Sequence, residues 1–295
     1  MRERIMCPCV QNIPLRLPKM MSCSLLLCWL CLLCPAVSAV AESAPSSASQ
    51  QHITVSATGR CAVENFTAQQ AQRLALRQAR ALAIEKAAGV NVTSSSLVTN
   101  GRLAGDFIKT FSTGRIIEET LHWMPVNQYQ NDPARPPIIE YSVELHAVVA
   151  IPHKRSTYSG LKAHLNQNTF HARMEEMTIS VSTRTDSKIA IFNIMADDTV
   201  TMLYPAAIQE ECLLNAHSSM TFPKQEDGSL LVAPLPGNKR DTEAILVAAL
   251  PQKSPIHWND VFTPDEQLSL TDFSIRYAAI IEHGGEVILP YEVFE

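Results

Sequence analysis

The run from Ala68 to Ala88 constrains this chain more than any other segment. Ala recurs at 71, 75, 79 and 83, and Leu, Arg and Gln fill most of the remainder. These are among the strongest helix formers. Thr67 and Gln70 have the spacing of a capping box, with the hydroxyl accepting from the first turn and the amide reaching back. Gly89 suits the left-handed residue that closes a helix. Ala71, Ala75, Leu82 and Ala83 fall near one face. A face of methyl groups lets a helix approach a sheet closely, so the segment needs a sheet to lie on.

The flanking sequence supplies one. His52 to Thr58 alternates polar and apolar residues, the period of a half-buried strand. Ile116 to Tyr129 reads as a strand. In the next strand the odd positions from Ile139 to Ile151 point inward, and residues 130–137, with three prolines, form the hairpin loop before it. Between Val90 and Gly114 the pattern allows a short strand and a second helix around Leu103–Phe111. Residues 52–152 are thus expected to form an α+β domain, one long helix on a small antiparallel sheet. Residues 153–171 are polar and lack an apolar stripe, which predicts a linker. Residues 172–295 read as a β-rich, sandwich-like domain. Strands are expected at 177–181, 188–194, 199–204, 229–232, 243–250 and 287–289, with a turn at Asp197-Asp198. A helix start is expected at Thr263-Pro264-Asp265-Glu266, and a C-terminal helix at Thr271–Glu282.

The first forty residues read as an export signal. Arg2, Arg4, Arg16 and Lys19 precede the apolar run Leu25 to Cys34, and Pro35 and small residues follow it. The run is shorter than the ~20 residues of a membrane span. Basic flank, short apolar core and small-x-small exit make a secretory signal peptide. Val37-x-Ala39 and Ala39-x-Ala41 both fit cleavage. The second is preferred, so residues 1–41 are removed and the mature chain begins at Glu42, with a flexible leader over 42–51. No later stretch is apolar enough to span a bilayer. The expected location is the periplasm, reached through the inner membrane.

Six of the eight cysteines precede residue 35, leaving Cys61 and Cys212 in the mature chain. An oxidising compartment leaves two states open, a Cys61–Cys212 disulfide or two buried thiols. With 46% hydrophobic and 18% charged residues the chain is too apolar to be disordered. A net charge of −5 without a basic stripe argues against nucleic acid as a partner.

The nine histidines show neither HxH nor HxxxH spacing, and no CxxC follows the signal, so no metal site and no cofactor are expected. Glu210 and Glu211 precede Cys212 and oppose its use as a nucleophile. Asp197-Asp198 lacks the later Gly and Glu of a calcium loop and reads as a solvated hairpin turn. Asn65-Phe66-Thr67 and Asn91-Val92-Thr93 match a glycosylation acceptor pattern, but Thr67 is needed as a cap. Trp123, Tyr141, Tyr204, Trp258 and Tyr277 are expected in the core, apart from one or two interface anchors. No catalytic residue stands out, and the chain reads as a non-enzyme.

Two resemblances extend this reading. Thr58-Gly59-Arg60, the repeat Ala71, Ala75, Ala79, Ala83 and the strand Tyr141 to Leu145 resemble the N-terminal domain of the flagellar assembly protein FlgT and the lipoprotein-twenty family, over residues 50–152. Ile191-Phe192-Asn193, Asp197-Asp198, Val200 to Pro205 and Pro234-Leu235-Pro236-Gly237 resemble domain-of-unknown-function family 4384. Thr199 and Ala206 depart from that pattern, where Gly and Asn are usual. The resemblances imply a Gram-negative, exported, non-enzymatic envelope protein. It would bind other envelope proteins as an accessory of a flagellar or secretion-type assembly. The alternative is a periplasmic ligand-sensing or carrier module.

Overall fold

A computed structural model of the chain describes residues 51–63, 67–89, 113–152, 160–206, 212–224, 228–282 and 284–295. The signal with Ala39, Ala41 and Glu42 lies outside the described residues. So does nearly all of the segment expected to hold a second helix near Leu103–Phe111.

The N-terminal part contains β1 (Gln51–Ala62), α1 (Ala68–Ala87), β2 (Arg115–Trp123), β3 (Asn127–Tyr129) and β4 (Ile138–Ile151). β4 is central, with β1 on one side and β2 and β3 on the other, all antiparallel. The strand expected from Ile116 to Tyr129 is split in two around Pro125, which has no N–H to donate to a ladder. Val143, Leu145, Ala147 and Val149 of β4 are buried on one face, where Ala75, Ala79 and Ala83 of α1 pack against them. The helix starts as its local sequence dictates. Gln70 N donates to Thr67 Oγ1 (3.2 Å), and Thr67 N donates to Gln70 Oε1 (3.0 Å). α1 lies so close to β1 that a Cβ on Gly59 would stand 1.9 Å from the Ala75 carbonyl oxygen.

The rest of the chain is strand-rich. It comprises β5 (Lys162–Leu165), β6 (Thr169–His171), β7 (Glu176–Met177), β8 (Ile179–Ser182), β9 (Ser187–Ile194), β10 (Thr199–Tyr204) and β11 (Leu213–Leu214). β12 (Ser219–Phe222), β13 (Leu230–Leu231), β14 (Arg240–Pro251), β15 (Gln267–Ser269), α2 (Leu270–Ile281) and β16 (Gly285–Phe294) follow. The main sheet runs β15-β10-β9-β14-β16-β6, with β11 also on β9. β16 and β6 are parallel, and the other pairs of this sheet are antiparallel. β14 is central, and its run Ala244 to Leu250 is buried on both faces, as a near-continuous apolar run requires. β12, β8 and β5 form a smaller sheet. Ile179, Val181 and Phe222 from it join Ile191 and Leu246 of the main sheet in one core. Phe192 anchors that core, with its ring 5.9 Å from Trp258 and 5.0 Å from both Phe262 and Phe273. The fold is mixed α+β and strand-rich.

Two local expectations are corrected. The polar stretch assigned to the 153–171 linker contributes β5 and β6 from residue 162 onward. Leu161, Ala163 and Leu165 alternate inward and pack on the larger core, a pattern too short and too diluted by polar neighbours to stand out. Thr263 to Glu266 starts no helix. Glu266 N donates to Thr263 O (3.2 Å), and Asp265 has φ 63°. Pro followed by a residue at positive φ makes a tight turn, and the chain then enters β15.

Candidate functional site

α1 has a second buried side. Arg77 and Arg80 lie opposite the Ala face, and both are buried. Arg77 Nε donates to Asp198 Oδ1 (2.7 Å), and its terminal nitrogens donate to the carbonyls of Thr242 (3.2 Å) and Met195 (2.8 Å). Arg80 donates to Asp198 Oδ2 (2.5 Å) and grips Glu119 through two bonds of 2.9 and 2.6 Å. Thr271 Oγ1, on α2, donates to the same Glu119 (3.0 Å). Burial pulls the Arg80 guanidinium down, but Asp198 and Glu119 outweigh it and hold it above its ordinary value.

Asp198 sits in the β9–β10 turn at φ 65° and is buried, so the solvated turn expected at Asp197-Asp198 is corrected. Asp tolerates the left-handed region; Asp198 takes that conformation, and its carboxylate is clamped by a helix some 120 residues earlier in the chain. A second pair joins β2 to β16. Arg115 reaches Glu286 (2.6 Å) and stacks 4.9 Å from the Tyr277 ring centroid. The Tyr277 hydroxyl donates to Glu286 (2.8 Å). Burial, with Glu286 beside it, pushes the Tyr277 phenol well up. The described residues, from Gln51 onward, fall in one compact unit.

Beyond Glu119 the first sheet changes character. Residues 120–128 and 130–137 are all exposed. β2 and β3 pair there with the start of β4, so the segment is an arm with solvent on both faces. Its side chains are not those of a solvated arm. Leu121, Trp123 (41% exposed), Met124, Val126 (55%) and Ile139 stand in water. Trp123 also borders an open groove of about 510 Å³, whose other walls include Gln72 and Arg73 of α1, Asp197 and Pro236.

A smaller cavity of about 180 Å³ lies beside β14. Met177, Met195, Leu203, Leu230 and Ile245 give it apolar walls, and Glu243 enters it. Glu243 is 3% exposed. Its Oε2 accepts from the Tyr291 hydroxyl (2.5 Å), and its Oε1 accepts a long bond from Ala196 N (3.4 Å). Burial pushes the carboxyl above the usual range, and nearby Asp241 adds to the push against those hydrogen bonds. The Tyr291 phenol is likewise pushed well up by burial and by Glu243.

The residues singled out in the sequence are dispersed. Cys61 packs on the N-terminal apolar cluster, and Cys212 lies buried within the other. His52, His122, His146, His164, His171, His217 and His257 are all exposed. Among the described residues no group of His, Cys, Asp or Glu is placed to hold a metal ion. No described helix is long and apolar enough to cross a membrane. Tyr204, Trp258 and Tyr277 are core residues, Tyr141 is half-buried and Trp123 is exposed. Arg77, Arg80 and Glu243 were not singled out, and Asp198 was read only as part of a turn. A glutamate heading a run of seven apolar residues was the one signal for Glu243. The arginines carried none, because a polar helix side facing water has the same composition.

No curated protein and no solved structure matches the chain. Residues 172–246, which hold Asp198 and Glu243, match the family model described as Domain of unknown function (DUF4384).

Proposed function

We propose that the chain is an exported, non-enzymatic envelope protein that binds other envelope proteins as an accessory of a flagellar or secretion-type assembly. The observation that carries the binding role is the arm over residues 120–140. It exposes Trp123 at the end of β2 and Met124 and Val126 in the link to β3, where no other described element covers them. Large exposed apolar patches mark interaction sites, and Trp is enriched among the residues that anchor interfaces. Residues 50–152, read as one long helix on a small sheet like the N-terminal domain of FlgT, supply the choice of partner. The DUF4384-like remainder is read as a sandwich-like second domain. The reading includes signal cleavage between Ala41 and Glu42 and a periplasmic location.

The test is capture from envelopes cross-linked before lysis. The tagged wild type should bring down one abundant envelope protein, and the double variant Trp123→Ser, Val126→Ser should not. Equal capture by both overturns the arm as the binding surface. A chain that stays in the cytoplasm with residues 1–41 attached overturns the export.

A further inference from the structure

Glu243 is out of keeping with its surroundings. β14 is the central strand of the main sheet, and the seven residues that follow Glu243 are buried hydrocarbon. A buried carboxylate normally has a cation or several donors. Glu243 has one short bond from the Tyr291 hydroxyl, one from the Asn193 side chain and one long contact from Ala196 N. A carboxylate offers about four acceptor sites, so these three neutral donors leave acceptor capacity and supply no cation. Among the described residues no Lys, Arg or His lines that cavity. Asp241, two residues away, makes the region more negative, and its own oxygens are engaged by Leu235 N (2.7 Å) and the Asn238 side chain (2.8 and 3.0 Å).

The cavity suits an occupant. At about 180 Å³ it exceeds the ~150 Å³ in which an apolar cavity takes up benzene. Met177 and Met195 provide walls that adapt to shape. Leu231 (49% exposed) and Ala233 stand at its solvent side. We propose that this cavity binds a small primary ammonium compound with an apolar tail. The ammonium pairs with Glu243, and the tail lies against Met177, Met195, Leu203 and Ile245. Anions are rejected by Glu243 and Asp241. A neutral tail of the same shape forfeits the charge-assisted bond.

Benzylammonium is the probe, toluene its uncharged counterpart, and the purified chain the sample. Benzylammonium should bind saturably, with its ring protons close to the Met177 and Met195 methyls by NMR. Toluene should bind roughly 30-fold more weakly or worse. In Glu243→Gln that preference should vanish, whereas Tyr291→Phe, which removes one donor to the carboxylate, should keep it. Leu203→Trp, which fills the cavity, keeps the test open if Glu243→Gln does not fold, and it should abolish binding. Equal affinity for the two probes, no saturation by about 10 mM, or benzylammonium bound unchanged by Leu203→Trp overturns the site. Because the arm plays no part in these measurements, their failure leaves the protein-binding reading standing.

Discussion

The Arg77 guanidinium stands 2.7 Å from the Asp198 carboxylate, and both side chains are shielded from water. A pair in such a place is most costly when half of it is removed, because the remaining charge has no solvent to turn to. Asp198→Asn keeps a residue that tolerates positive φ and removes only the charge. It should destabilise the chain by about 3–5 kcal/mol, seen as a lowered midpoint in urea. A loss below about 1 kcal/mol would mean that water reaches the pair.

Gly59 is fixed by space. The nearest atoms to an added Cβ are backbone, the Ala75 oxygen at 1.9 Å and the Ala79 nitrogen at 2.5 Å, so no rotamer change relieves the clash. Gly59→Ala should cost about 3 kcal/mol or more, at or beyond the upper end of overpacking penalties. Thermal melts check it, and an unchanged melting temperature would refute the close approach.

The Ala face of α1 makes the matching prediction from the other side. Ala75 is fully buried, whereas Gln72 is half-buried at the groove. Ala75→Leu should lose about 1–3 kcal/mol by overpacking, and Gln72→Leu should stay within about 0.5 kcal/mol of the wild type. Equal melting temperatures for Ala75→Leu and the wild type would sink the buried-face assignment.

These examples also separate what local sequence specifies from what it does not. The capping box at Thr67 and Gln70 and the alternation of β4 depend on neighbours a few residues away, and both were readable. The partners of Arg77 and Arg80 were not, since Asp198 lies 121 and 118 residues onward and no local pattern marks such a pairing. Pro264-Asp265 misled because Pro opens a turn as readily as a helix. The arm was hidden for a different reason. Its residues alternate like any strand, and Trp123 is surface rather than core because no other described element covers it.

Glu243 makes stability depend on pH with a definite sign. Its carboxyl is raised in the folded state, chiefly by burial, so the native chain holds this proton over a range where the unfolded chain has released it. Stability from this group is therefore complete below the unfolded value near 4.5 and declines as pH rises through the folded value. Glu243→Gln removes that decline while leaving Asp241 and Tyr291 in place. The variant should gain on the wild type as pH rises from about 4.5 toward neutrality, measured as the difference in melting temperature. A difference constant with pH would show that Glu243 does not titrate in the cavity environment described.

The reach of α1 to Asp198 also sets a timetable. Synthesis runs from the N-terminus, and at about 5–20 residues per second the 121 residues from Arg77 to Asp198 take roughly 6 to 24 s. Through that interval α1 has its Ala face to bury, and Arg80 has Glu119 once β2 is made, but Arg77 has no carboxylate to meet. Arg77 lacks its counter-charge until the β9–β10 hairpin has been made and has closed on it. Any chain that terminates before Asp198 therefore carries an unmatched cation on an otherwise well-formed helix, a mark by which an unfinished copy differs from a finished one.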